Sequence, residues 1–219
     1  METHKKIDLS LDEARELYKG GNKTVKEFLL RVFSEKDLKV KHFSEITTFE
    51  DAVRTIGMNL NLALRIVEEL ETASKASAAM FKLNIIRKAL NLGQDLHLTK
   101  KPEDSYIYYP YNPFVTKSST YYENDINSGN IEVIGKIKSE GEEYNVLGGG
   151  ASYGGLAGLG RFGSGDGVGS AHASIGFLGC ANEDIAKHFG KYFGMLITES
   201  KYGDMIDFNI IEDKYGCTQ

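Results

Sequence analysis

The sequence predicts an α+β protein: a helical N-terminal half over residues 1–98, then a Tyr/Gly-rich α+β half over residues 99–219. That second half holds a small antiparallel β region, a Gly-rich segment and a C-terminal helix. Three observations carry this division. Helix-capping signals followed by apolar positions at helical spacing recur from Ser10 to Leu92. All three prolines, Pro102, Pro110 and Pro113, cluster just beyond that run. After them, period-two alternation and glycine replace the helical period.

The helices follow in order. In "SLDEARELYKGG" Ser10 is an N-cap answered by Glu13, and Gly20 with Gly21 supply the stop. "TVKEFLLRVF" repeats the capping box with Thr24 and Glu27, and Val25, Phe28, Leu29 and Val32 form its apolar face. "TTFEDAVRTIG" starts at Thr47 or Thr48 and ends at Gly57. Leu60, Ala63, Ile66, Val67 and Leu70 keep a helical period, as do Phe81, Ile85, Ala89 and Leu92. The small polar "TASKASAA" between these two runs reads as a joint.

"SYIYYPYNPF" is an extended segment or edge strand, because proline lacks the donor that a helix or a central strand needs. Alternation along it places Tyr106 and Tyr108 on the buried face and leaves Tyr109 and Tyr111 differently disposed. "IEVIGKIKSEGEEYNVLGG" is a hairpin turning at "SEGE", with Ile131, Val133 and Ile137 on one face and Glu132, Lys136 and Lys138 opposite. Residues 148–179 are glycine-rich, but Tyr153, Leu156, Leu159, Phe162 and Val168 interrupt them, which marks a packed, turn-rich segment and not a linker. "HASIGFLG" follows as a short strand. Asn182 caps the last helix, whose apolar face is Ile185, Phe189, Tyr192 or Phe193, and Leu196.

Most familiar chemistries are missing. With 26 basic against 31 acidic residues the net charge is −5, so the electrostatic footprint of a nucleic-acid binder is absent from the chain as a whole. "GLGRFGSGDG" spells G-x-G-x-x-G, yet "SGDGVGS" follows it where a dinucleotide site needs a helix N-terminus. "GGNKT" lacks Walker spacing. His4, His42, His97, His172 and His188 are scattered, and no C-x-x-C occurs, so no metal and no cofactor is expected. Cys180 and Cys217 read as free thiols. The carboxylates Asp204, Asp207, Glu212 and Asp213 read as solvated. The one enzymatic hint is Cys180 with His172 or His188, since backbone N–H groups at a helix start depress a thiol pKa. The charged N-terminus carries no secretory signal, and no apolar run is long enough for a membrane span, so synthesis is cytoplasmic.

What remains is the aromatic group. Tyr106, Tyr108, Tyr109, Tyr111, Tyr153 and Phe162 are the candidate binding residues, because tyrosine offers apolar area and a polar handle at low entropy cost.

Several segments carry a resemblance. "IDLSLDEARELYKGGNKTVKEFLLRVFSEKDLK", "ITTFEDAVRTIG", "FKLNIIRKALNLG", "YIYYPY" and "IGFLGCANEDIAKHFGKYFGMLI" occur in an order similar to that of uncharacterised small proteins of Bacteroidetes phages and prophages. The resemblance implies a phage setting and supplies no catalytic residues. It points to a non-enzymatic structural or interaction protein, a virion component or a host-interaction module. Such a protein would work as a homo-oligomer or with other virion or host proteins. The alternatives are a small enzyme built on Cys180 and a host-protein inhibitor or adaptor.

Overall fold

The computed structural model describes residue 9 and residues 11–38, 42–92, 106–116, 118–120, 122–155 and 178–218. Contacts divide the chain into two compact units, Met1–His42 and Phe43–Gln219.

In the first unit, α1 (Leu11–Gly20), α2 (Lys23–Val32) and the single turn α3 (Glu35–Leu38) enclose a small core. Ala14, Leu29 and Leu38 are its buried residues, with Tyr18, Val25 and Phe33 packed against them. Gly21 makes the tight α1–α2 turn, since a Cβ there would run into the Leu17 carbonyl and the Val25 side chain. Asn22, and not Thr24, is the N-cap of α2: its side chain accepts from the Val25 N–H at 3.1 Å. Ser10 lies outside the described residues.

The second unit opens with a 3-10 turn (Phe43–Glu45) and α4 (Phe49–Thr55), capped by Thr48, one of the two starts its sequence allows. α5 (Leu60–Ala73) and α6 (Lys75–Leu90) meet at Ser74, which caps both: its N–H closes α5 and its hydroxyl accepts from Ser77. The predicted joint is therefore one residue long. No strand interrupts residues 49–92. The compositional change near residue 100 is a change of secondary structure. The contact division falls at His42, and α4–α6 share a core with the elements that follow.

β1 (Tyr106–Tyr111) and β2 (Phe114–Thr116) run on either side of Asn112 and Pro113, and both pair antiparallel with the chain that returns after a hairpin. β2 leads through a short helix, α7 (Glu123–Asn127), to β3 (Glu132–Ser139), β4 (Glu142–Gly148) and β5 (Gly150–Gly155). β2 pairs β4 and β1 pairs β5, so β1–β2 and β4–β5 form one ribbon broken in the middle. From Tyr111↔Gly150 to Phe114↔Val146 one strand advances three residues and the other four, a slip of one. Gly149, at φ 96°, carries the chain across that break. β6 (Asn209–Asp213) completes the sheet β2-β4-β3-β6.

The hairpin turn sits at Glu140 and Gly141, both with positive φ, as predicted for "SEGE". The inward set of β3 differs from the expected Ile131, Val133 and Ile137. The register shifts between Val133 and Gly135, so Ile134 and Ile137 are buried and Val133 is only half-buried. A bulge changes which parity faces inward, and simple alternation has no means of marking it.

α8 (Glu183–Tyr202) is the central element, packing against α6, β1, β3, β4 and β5. Asn182 caps it, accepting from Ile185 at 2.9 Å. Ile185, Phe189, Phe193 and Leu196 enter the core shared with α4–α6, as their spacing predicts. Met195 faces the other way, into a second core with Ile134, Ile137, Val146 and Phe208. A helix buried on two sides must let the sheet come close, and glycines make this possible. A Cβ at Gly148 would touch the Gly190 carbonyl at 2.7 Å, and one at Gly194 would overlap the Asn112 carboxamide.

Candidate functional site

The aromatic candidates divide. Tyr109 is 2% exposed and belongs to the α4–α6–α8 core, which removes it from any binding surface. Its hydroxyl has no partner among the described residues, and burial pushes its pKa up to about 12. Tyr108 is half-buried against the same core. The expected alternation does not hold at this end of the strand: the adjacent Tyr109 and Pro110 are both buried. The backbone register places Tyr106 opposite Gly155, Tyr111 opposite Gly150 and Tyr153 opposite Tyr108. Phe162 and the G-x-G-x-x-G stretch lie outside the described residues.

Cys180 is fully buried and forms an isolated antiparallel bridge with Tyr108, each N–H donating to the other's carbonyl. Desolvation drives its thiol far above the ordinary range, outweighing a weak opposing effect of Arg87, and the thiol donates to the Leu178 carbonyl. This corrects the idea of an activated thiol: apolar surroundings disfavour the thiolate more than a helix start favours it. His188 bonds the Ile46 carbonyl at 2.8 Å and packs on Phe43 and Tyr192. His172 lies outside the described residues. Both cysteines are free thiols.

Polar groups that single-residue inspection passes over converge at the junction of α5, α6, α8 and the C-terminal turn. Lys82 is buried in α6, one helical turn from Ala78 and from Ile86 on the buried stripe, and bonds Glu71 of α5 at 3.2 Å. Its place in that stripe is the signal the sequence offers. Glu199 of α8 is pushed up to about 7 by burial; Lys82 and Lys75 oppose the shift and Glu71 and Asp213 reinforce it. Asp213, half-buried, does more than face solvent: it accepts from the N–H groups of Tyr215, Gly216 and Thr218 and from the Thr218 hydroxyl. Asp204 is exposed, as expected, and receives the Ser74 hydroxyl and the Ala76 N–H at the α5–α6 joint.

Two cavities flank this cluster. One, about 290 Å³, is lined by Thr47, Thr48, Phe49, Glu50, Leu64, Val67, Glu68, Glu71, Lys82 and the Tyr215–Cys217 turn. The other, about 270 Å³, is lined by Lys75, Glu199, Asp213 and Thr218 among others. Nearby, Glu132 takes Lys191 at 2.7 Å, Lys214, and the Tyr215 hydroxyl at 2.7 Å. Burial works against this carboxylate, but the three hydrogen bonds outweigh it and hold its pKa at about 2.

In the first unit, the apolar exposure is concentrated on α1 and α2. Leu17 is 48% exposed, Phe28 47%, Leu30 41% and Val32 62%. Phe28 and Val32 lie one turn apart, beside buried Leu29.

Among the described residues no group of three His, Cys, Asp or Glu is placed to hold a metal, and no helix is long and apolar enough to cross a membrane. No protein-family model, curated protein or solved structure matches the chain.

Proposed function

We propose that this chain is a non-enzymatic interaction protein, in a phage or prophage setting, that associates with its own copies through the N-terminal helical unit. The supporting observation is the exposed α2 face formed by Phe28 and Val32, with Leu30 also exposed, on a unit whose apolar core holds three fully buried residues among the described ones. Scattered exposed apolar residues are ordinary; a cluster on so small a unit marks a contact surface. A second copy is the favoured occupant because the two helices carry opposite charge. α1 exposes Glu13 and Glu16 against Lys19, with Arg15 buried, whereas α2 has Lys23, Lys26 and Arg31 against Glu27. A two-fold contact that sets α2 of one copy on α1 of the other brings those charges together and covers Leu17, Phe28 and Val32. The setting rests on the resemblance of the helical segments to phage proteins. The sealed Cys180 thiol gives the enzymatic alternative no support.

The test is sedimentation equilibrium of the full chain beside a Phe28→Glu/Val32→Glu variant. Wild type is expected to be a concentration-dependent oligomer and the variant a folded monomer. A monomeric wild type, or an oligomer unchanged by the double substitution, contradicts the proposal.

A further inference from the structure

The cavity between α4, α5, α6 and the C-terminal turn joins three kinds of wall. Its buried wall holds the Lys82 ammonium, whose side chain is 5% exposed. That ammonium has three donors, and among the described residues a single carboxylate, Glu71, lies within hydrogen-bond distance. A buried cation with spare donors beside a cavity favours an anionic group that enters it. The exposed part of the lining is acidic: Glu68 and Glu71 are exposed and Glu50 is half-buried. The third wall is apolar, made by Phe49, Val67 and Leu64, and Leu64 is a large side chain left 40% exposed.

From this arrangement we infer that the cavity binds a small zwitterion with an apolar tail, of the free amino-acid type. Its carboxylate meets Lys82, its ammonium meets the rim carboxylates, and its hydrocarbon lies on Phe49, Leu64 and Val67. Each alternative ligand class leaves one wall unmatched. A phosphate or polycarboxylate is attracted by Lys82 but repelled by Glu50, Glu68 and Glu71. A simple amine satisfies the rim and leaves the buried donors unfilled. An uncharged apolar molecule strands both. At about 290 Å³ the cavity lies at the small end of ligand pockets, which suits a molecule of this size. The site belongs wholly to the second unit, so its occupancy is read separately from self-association.

Thermal shift and titration calorimetry on the full chain test this with L-leucine and L-phenylalanine as probes, and N-acetyl-leucine and leucinamide as forms lacking one charge. Leucine or phenylalanine is expected to raise the melting temperature at millimolar concentration, with both derivatives at least about tenfold weaker. Lys82→Met is expected to abolish the response. Glu68→Gln, a change on the exposed rim, is expected to weaken leucine binding but not that of N-acetyl-leucine, whose anion loses a repulsive neighbour, and it decides the matter if Lys82→Met does not fold. No response to either amino acid, an equal response to the derivatives, or leucine binding undiminished by Glu68→Gln overturns the inference.

Discussion

Asn112 donates through its carboxamide nitrogen to the carbonyl of Gly190 at 2.7 Å, and through the same nitrogen to the carbonyl of Leu147 at 2.9 Å. One side chain therefore ties the break in the β-ribbon to α8. The space for it exists because Gly194 has no side chain: a Cβ there would overlap the Asn112 carboxamide and the Ile134 side chain. Gly194→Ala is expected to destabilise the protein by about 1–3 kcal/mol through overpacking. Asn112→Ala is expected to cost about 1–3 kcal/mol by removing a hydrogen bond from each of two buried carbonyls. Urea unfolding of each variant measures both, and a midpoint unchanged in either shows that the contact does not order the ribbon.

Glu199 and Lys201 make opposing contributions to the pH dependence of stability. Burial raises Glu199 to about 7 from its ordinary 4.5, so the folded chain holds more protons than the unfolded one across that window and stability falls as pH rises through it. Burial lowers Lys201 to about 8 from its ordinary 10.5, so the folded chain holds fewer protons there and stability rises again with pH. Between the acid range, where Glu132 loses its ion pairs, and the alkaline range, where the thiols titrate, the melting temperature is expected to dip locally at about pH 7 to 8. Glu199→Gln should remove the fall on the acid side, and Lys201→Met the rise on the alkaline side. A profile unaltered by both substitutions contradicts the assignment.

The hairpin turn holds a residue in an unfavourable place. Glu140 adopts φ 50° ahead of Gly141 at φ 85°. Asn tolerates this left-handed conformation better than Glu, and Asn-Gly is the preferred pair for such a turn. Glu140→Asn is expected to stabilise by about 0.5–1 kcal/mol, and Gly141→Ala to destabilise by about 1–2 kcal/mol. Equal melting temperatures for the two variants would show that the turn is not strained as described.

Much of this fold was legible because its signals are local. The caps Thr48 and Asn182, the apolar stripe of α8 and the turn at Glu140 and Gly141 each depend on a few neighbouring residues. What escaped depends on distant partners. β6 is recognisable only through its pairing with β3, and the bulge before Gly135 shows only in the register. Tyr109 points inward because α8 and α6 close over that face, which alternation along "YIYYPY" has no means of specifying. The Lys82 cluster joins four elements, and only the misplaced charge on an apolar stripe announced it. The apolar period of α2 was legible, but not that Phe28 and Val32 stay exposed while Leu29 is buried, because that depends on what packs against the helix.

The two thiols give a check on the enzymatic alternative. Burial raises both Cys180 and Cys217, and for Cys217 the nearby Asp213 carboxylate adds to the effect. Labelling of the native protein by a disulfide reagent at mildly alkaline pH is expected to be orders of magnitude slower than that of a small-molecule thiol, and to become rapid on unfolding. Cys180→Ala is expected to leave the oligomeric state unchanged. Rapid native labelling of Cys180 would reopen nucleophilic chemistry.

Amide hydrogen exchange at two protein concentrations tests self-association through the N-terminal unit most directly, because it reports where the copies meet. Going from dilute to concentrated protein, exchange is expected to slow across residues 11–20 and 23–32, with the second unit unchanged, and Phe28→Glu/Val32→Glu should abolish the difference. Exchange in those helices that does not depend on concentration, or protection that appears only within residues 43–218, would contradict it.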